Sequence, residues 1–179
     1  MKKSEQKEKI IKVTTPIDDS TVKKLKIGDQ IEIEGIIYCG RDAVLPKIVR
    51  LWQKSQLDSI KVKLDGSVIF HTAVSPAGIG PTTSNKVEIE GNIPALSEAG
   101  VKIHLGKGAL SSQTAKALEK NKALFAITPP VSALFSDKIV SQKVAAFKEE
   151  GMEALYELEV KGLPAIIAIA HGETIFTDK

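Results

Sequence analysis

Leu155-Tyr156-Glu157-Leu158-Glu159-Val160-Lys161-Gly162-Leu163-Pro164-Ala165-Ile166-Ile167-Ala168-Ile169-Ala170 carries two strand patterns of different kinds. Over residues 155–160, Leu155, Glu157 and Glu159 alternate with Tyr156, Leu158 and Val160, the period of a half-buried strand. Residues 164–170 are almost wholly apolar, as a central strand covered on both faces is. His171-Gly172-Glu173 then turns the chain into Thr174-Ile175-Phe176.

Working outward, the rest of the chain supplies both strands and helices. Residues 10–13 read as an edge strand before Thr14-Thr15-Pro16, and Asp18, Asp19 or Ser20 caps a short helix through Leu25 that Gly28 ends. Residues 30–39 alternate as a strand, with Gly35 a bulge or bend. Gly40-Arg41-Asp42 leads into a helix with Asp42 at its start, Pro46 in its first turn and Leu45, Ile48, Val49 and Trp52 on one apolar face. Asp65-Gly66 predicts a hairpin joining 60–64 to 67–70. A loop rich in Gly, Pro and Thr follows, then a helix over 92–99 stopped by Gly100 and a strand over 101–105. Ser111 or Ser112 caps the next helix, which ends near Asn121; 123–128 is a strand stopped by Pro129-Pro130. Residues 131–135 make a helical turn and 138–147 a further strand. These elements predict an α/β fold, with mixed sheet layers and flanking helices rather than strict βαβ repeats. One domain is expected over 11–179, behind a flexible, charged N-terminal tail over 1–10.

Composition narrows the function classes. The 179 residues are 42% hydrophobic and 26% charged, an ordinary globular balance. A net charge of +3 with interspersed signs and an aromatic content of 4% argue against nucleic acid as a partner. No apolar run is long enough to span a bilayer, and the charged N-terminus lacks the apolar core of a secretion signal. The expected location is cytoplasmic. A single cysteine, Cys39, excludes an internal disulfide and a CxxC metal site.

Three strand-end loops place a glycine beside a basic residue: Gly40-Arg41-Asp42, Gly80-Pro81-Thr82-Thr83-Ser84-Asn85-Lys86 and Gly106-Lys107-Gly108. Glycine lets a ligand approach the backbone, Arg41 can grip a carboxylate at two points, and Lys86 and Lys107 supply point charges. Brought together, they suit a small dicarboxylate; taken singly, each reads as an ordinary turn with a solvated cation. The GxxxxGK[ST] and GxGxxG spacings are absent, which argues against nucleotide sites. The histidines, His71, His104 and His171, lack metal-ligand spacing. His104 reads as structural, while His71, at a strand end before the key loop, is a secondary site candidate together with Asp42. Ser111-Ser112 is a cap, not a nucleophile.

Five motifs occur in order: "TTP" at 14–16, "GIIYCGRDA" at 35–43, "GPTTSNK" at 80–86, "LGKG" at 105–108 and "GMEALYELEV" at 151–160. This order resembles the β-subunit, or C-terminal domain, of class I iron–sulfur fumarate hydratases and of L(+)-tartrate dehydratase. The resemblance implies a swivelling β/β/α domain and reversible hydration of fumarate to (S)-malate. It implies a partner α-subunit in an α2β2-type hetero-oligomer. That partner holds a [4Fe-4S] cluster through three cysteines and leaves one iron open to substrate; no metal or cofactor is expected on this chain. It further implies Thr82 as the base that removes the C3 proton of malate, with Arg41, Thr83, Lys86 and Lys107 as substrate contacts. Lys86 stands where many members have arginine, and Leu45 where many have histidine. The alternatives are an L(+)-tartrate dehydratase β-subunit and a non-catalytic anion-binding module.

Overall fold

The computed structural model describes residues 9–82, 86–129 and 133–176, and in it the 155–170 stretch is one strand rather than two. This strand, β9 (Leu155–Ala170, 16 residues), pairs antiparallel with β2 (Gln30–Cys39) from Cys39↔Tyr156 to Gln30↔Ile166. Further along, it pairs with β7 (Leu124–Ile127) through Phe125↔Ile169. The other neighbours in the sheet are parallel: β2 to β3 (Val68–Phe70), β3 to β6 (Ile103–Gly106) and β6 to β7. β9 thus joins both ends of the run β2-β3-β6-β7 and closes it into a circuit. β1 (Ile11–Thr14) extends the sheet beside β2, while β8 (Ile139–Ala146) and β10 (Glu173–Thr174) flank β9.

The continuity of β9 depends on a bulge. Between Ile33↔Leu163 and Gly35↔Val160, two steps along β2 face three along β9. The extra residue lies at Lys161-Gly162, where Gly162 takes φ +70°, a conformation open to glycine. The break falls opposite the glycine expected to mark it, Gly35, but the inserted residue belongs to the partner strand. It resets the alternation, so Leu158 and Val160 before it and Leu163, Ala165 and Ile167 after it all join one core. Ile31, Ile33, Ile37, Phe70, Leu105 and Leu124 fill the same interior. Phe135 on α5 (Ala133–Ser136) packs edge-on against Phe70, with ring centres 5.9 Å apart.

Gly35 has a separate duty. At φ +104° it lies under Thr15, and any Cβ there would run into the Thr15 hydroxyl and carbonyl. Gly35→Ala is therefore expected to destabilise the fold by about 1–3 kcal/mol, read as a lower urea midpoint at unchanged m.

Helices cover the outer face of the parallel strands. Leu45 and Ile48 of α2 (Leu45–Gln53) and Leu96 of α3 (Lys86–Glu98) pack with Tyr38 and Ile69. Ile89 and Ile93 of α3 meet Ala115 and Leu118 of α4 (Ser112–Lys120) over Phe125 and Ile169. Ser111 caps α4 by accepting the N–H of Thr114, and Asp18 caps α1 (Asp19–Lys24) by accepting that of Thr21, as the sequence predicts.

Other expectations fail for tertiary reasons. The 60–64/67–70 hairpin does not form, because β2 and β6 occupy both edges of β3. Asp65-Gly66 still turns the chain, with the Ser67 N–H donating to Leu64 O at 3.0 Å, but Val62 and Leu64 are buried under the helices instead of paired. Asp42 does not start α2: a turn intervenes, Val44 holds the cap position, and Arg41 O accepts from Val44 and Leu45. α3 begins at Lys86 rather than near 92, since Gly91 and Pro94 read as breakers while packing of Ile89, Ile93 and Leu96 holds the helix. The loop expected after residue 70 is partly a two-stranded sheet, β4 (Thr72–Ser75) with β5 (Gly78–Thr82). Most of the expected N-terminal tail, Thr83, and the start of the helical turn at 131 lie outside the described residues. Among the described residues, no helix is long and apolar enough to cross a membrane.

Candidate functional site

The register of the parallel strands decides which loops meet. Cys39 of β2 aligns with Phe70 of β3, Phe70 with Leu105 of β6, and Leu105 with Ala126 of β7. Their C-terminal ends therefore form one rim, and backbone bonds continue past the strands. Gly40 N–H donates to Phe70 O at 3.1 Å and His71 N–H to Leu105 O at 3.0 Å. Arg41 and Lys107 each follow the first glycine on this rim, with the end of β3 between them. In α/β folds, whether the parallel strands form an open sheet or a closed one, ligands gather at the strands' carboxyl ends.

The third loop arrives by a different route. β4 leaves the end of β3, turns, and β5 returns antiparallel so that Thr82 pairs with Thr72. Thr82 thus stands beside the second residue after β3, on the same rim. Thr72 is fully buried, and its hydroxyl donates to Gly80 O at 2.8 Å, which fixes the hairpin. Lys86 opens α3, a 13-residue helix whose positive N-terminal end begins just beyond Thr82. The Lys86 side chain and Thr83 are outside what the structure describes.

The cations differ in setting. Lys107 is exposed. The Arg41 side chain is 28% exposed, with Nε 3.8 Å from a carboxylate oxygen of Glu153. That nitrogen is enclosed and, among the described residues, has no hydrogen bond. Glu153 escaped the sequence reading because 111 intervening residues separate it from Arg41 and no spacing signals the contact.

His71 points away from solvent. Its Nε2 lies 3.1 Å from Nδ1 of His104, whose Nε2 lies 2.9 Å from the hydroxyl of Ser97 on α3. All three residues are buried. Burial pushes His71 down to about 4 and His104 well below the ordinary histidine range, with His71 adding to the effect on His104. At neutral pH the chain Ser97–His104–His71 is uncharged and braces the end of β3 from beneath. Asp42 is half-buried on the turn after Arg41.

A cavity of about 370 Å³ lies away from this rim, lined by Asp19, Val22, Lys23, Glu119, Lys122 and His171. Its lining aspartate, Asp19, is paired with Lys122 of the lining at 2.8 Å and with Lys102 outside it at 2.7 Å. Arg41 and Lys107 stand on the rim instead.

The family model described as fumarase C-terminus matches residues 1–179. The chain belongs to this family. Among relatives of this fumarase C-terminal chain, a Geobacillus stearothermophilus protein provisionally named fumarate hydratase class I is 27% identical over 98% of the chain. The match spans 35% of that protein, about a third of its length. A Methanocaldococcus jannaschii protein provisionally named L(+)-tartrate dehydratase subunit beta is 30% identical over 88% of the chain and 86% of its own. The L(+)-tartrate dehydratase subunit beta of Escherichia coli is 28% identical over 93% of the chain and 86% of its own.

Proposed function

We propose that this fumarase C-terminal chain is the β-subunit of a two-subunit hydro-lyase that reversibly hydrates fumarate to (S)-malate with a cluster-bearing α-subunit. The observation that carries the reading is the strand-end rim, where Arg41 and Lys107 flank the hairpin that delivers Thr82. Dicarboxylate recognition needs separated cations, and removal of a proton beside a carboxylate needs them close to the charge that develops. In this reading Thr82, as its alkoxide, takes the C3 proton of malate and becomes the neutral hydroxyl, while the C3–H electrons form the C2–C3 double bond and the C2 hydroxyl leaves as hydroxide. Arg41 and Lys107 hold the carboxylates, while Thr83 and Lys86 complete the contacts. A threonine hydroxyl is a weak base, so its oxyanion depends on the cations and the α3 N-terminus for stabilisation.

The chain's own residues do not fit an iron–sulfur cluster. Cys39 is fully buried in the interior, and burial raises its thiol far above the usual range. We assign the [4Fe-4S] cluster, with its Lewis-acid chemistry, to the partner, and the swivelling β/β/α domain type and α2β2 assembly to the same reading. Dehydration of L(+)-tartrate is the second reading, supported by relatives that carry that name over most of their length. Co-expression with the α-subunit and assay of both diacids tests the two. Activity on neither would overturn the hydro-lyase reading.

Lys86 sharpens the choice of substrate. An ammonium cannot make arginine's planar two-point grip. Lys86→Arg is therefore expected to lower the dicarboxylate KM by about threefold to tenfold with little change in kcat. An unchanged KM would remove Lys86 from the list of carboxylate contacts.

A further inference from the structure

We propose that Glu153 is a positioning residue for Arg41, holding the guanidinium at its Nε side so that the two terminal nitrogens face the substrate carboxylate. The inference deepens the hydro-lyase reading and rests on it for the identity of the ligand. The Arg41–Glu153 pair, at 3.8 Å, joins the site arginine to the "GMEALYELEV" motif, whose residues from 155 onward build β9 and whose Glu153 has no other role.

The turn that presents Glu153 is built to hold a position. It is a 3-10 segment, Lys148–Glu153, entered through Phe147 at φ 58° and kinked at Gly151, whose φ of 60° and ψ of −121° depart from helix. The Tyr156 hydroxyl donates to Gly151 O at 3.3 Å. Lys47 of α2 pairs with Glu150 and lies 3.8 Å from Glu149, with its ammonium 5.2 Å from the Phe147 ring centre. The turn is therefore tied to the helix whose first N–H groups bond to Arg41 O. α2 fixes the Arg41 backbone, and the turn tied to α2 brings a carboxylate to its side chain.

A guanidinium offers two two-point edges, one formed by its terminal nitrogens and one that includes Nε. A carboxylate at Nε leaves the terminal edge for ligand and limits the rotamers that Arg41 must give up on binding. Charge alone has the opposite consequence. Glu153 repels a di-anion, so its removal would tighten binding if it did no positioning. The two effects differ in sign, which makes the role decidable.

In the reconstituted complex, Glu153→Ala is expected to raise the dicarboxylate KM by about fivefold or more, with kcat within about twofold of wild type. Glu153→Gln keeps the side-chain length but loses the charge that faces Nε at 3.8 Å, and is expected to raise KM in the same direction as Glu153→Ala. Arg41→Ala combined with Glu153→Ala binds no worse than Arg41→Ala alone. Independently of catalysis, ¹⁵N relaxation at Arg41 Nε in the full chain should show greater mobility in Glu153→Ala than in wild type. A lower or unchanged KM with unchanged Nε mobility would overturn the assignment. If the wild-type complex acts on neither fumarate nor tartrate, the hydro-lyase reading fails, and the Nε relaxation alone still decides the role of Glu153.

Discussion

Thr82→Ala is expected to lower turnover of the reconstituted enzyme by about 100- to 10,000-fold, the range for loss of a general base, with a much smaller change in KM. The substitution removes one hydroxyl and one methyl from a residue whose main chain is held in the β4–β5 pairing opposite Thr72. The hairpin should therefore survive, and the loss should report chemistry rather than folding. Thr82→Ser restores the hydroxyl without the methyl and should recover most of the turnover. Arg41→Ala provides the contrast: a carboxylate clamp that acts in both ground and transition states is lost mainly as higher KM. If Thr82→Ala leaves turnover within about threefold of wild type, Thr82 only orients substrate and the base lies elsewhere.

Acid should destabilise the fold well above the pH at which its carboxylates titrate, through the buried histidine pair. His71 is held at about 4, against 6.5 for an exposed histidine, by burial beside His104. Between these values the unfolded chain binds a proton that the folded chain excludes, so stability falls as pH drops from about 6.5 towards 4. His71 alone accounts for about 3 kcal/mol once pH is below both values, and His104 adds in the same direction. Asp19, held at about 2 by Lys102 first and Lys122 second, acts in a lower window between its ordinary value and that figure. Urea midpoints measured from pH 7 to 4.5 check the effect. Side-chain NMR shifts of His71 should remain those of the neutral ring down to pH 5; protonation near 6.5 would refute the burial argument.

The parts of the fold legible in the sequence were those decided over a few residues. Caps at Asp18 and Ser111 need one side-chain oxygen and a nearby N–H, and both lie within a single turn. Alternation placed β2 and the start of β9 because one face of each is buried. The 60–64 hairpin failed because its turn signal is local, whereas its pairing depended on whether an edge of β3 was free. Helix α3 is longer than its sequence suggests because Gly91 and Pro94 weaken it locally while distant apolar partners hold it. Among site candidates, Arg41 and Lys107 are marked by residue type and loop context, whereas Thr82 is marked only by the family resemblance. The Glu153 contact and the inward bond of His71 depend on side-chain directions that no spacing encodes.

For residues 155–170, the sequence determined two things by itself: the alternation of the first part and the apolar character of the second. It likewise supplied three glycine–basic loops and their family order. Only the tertiary structure decided that the stretch is a single strand closing β2-β3-β6-β7 into a circuit, with its alternation reset at Gly162. The physical reason is range. Caps, turns and burial period are set by neighbouring residues, whereas strand register is set by what lies across the sheet. Register brings the ends of β2 and β6 to one rim, and hairpin pairing brings Thr82 to it.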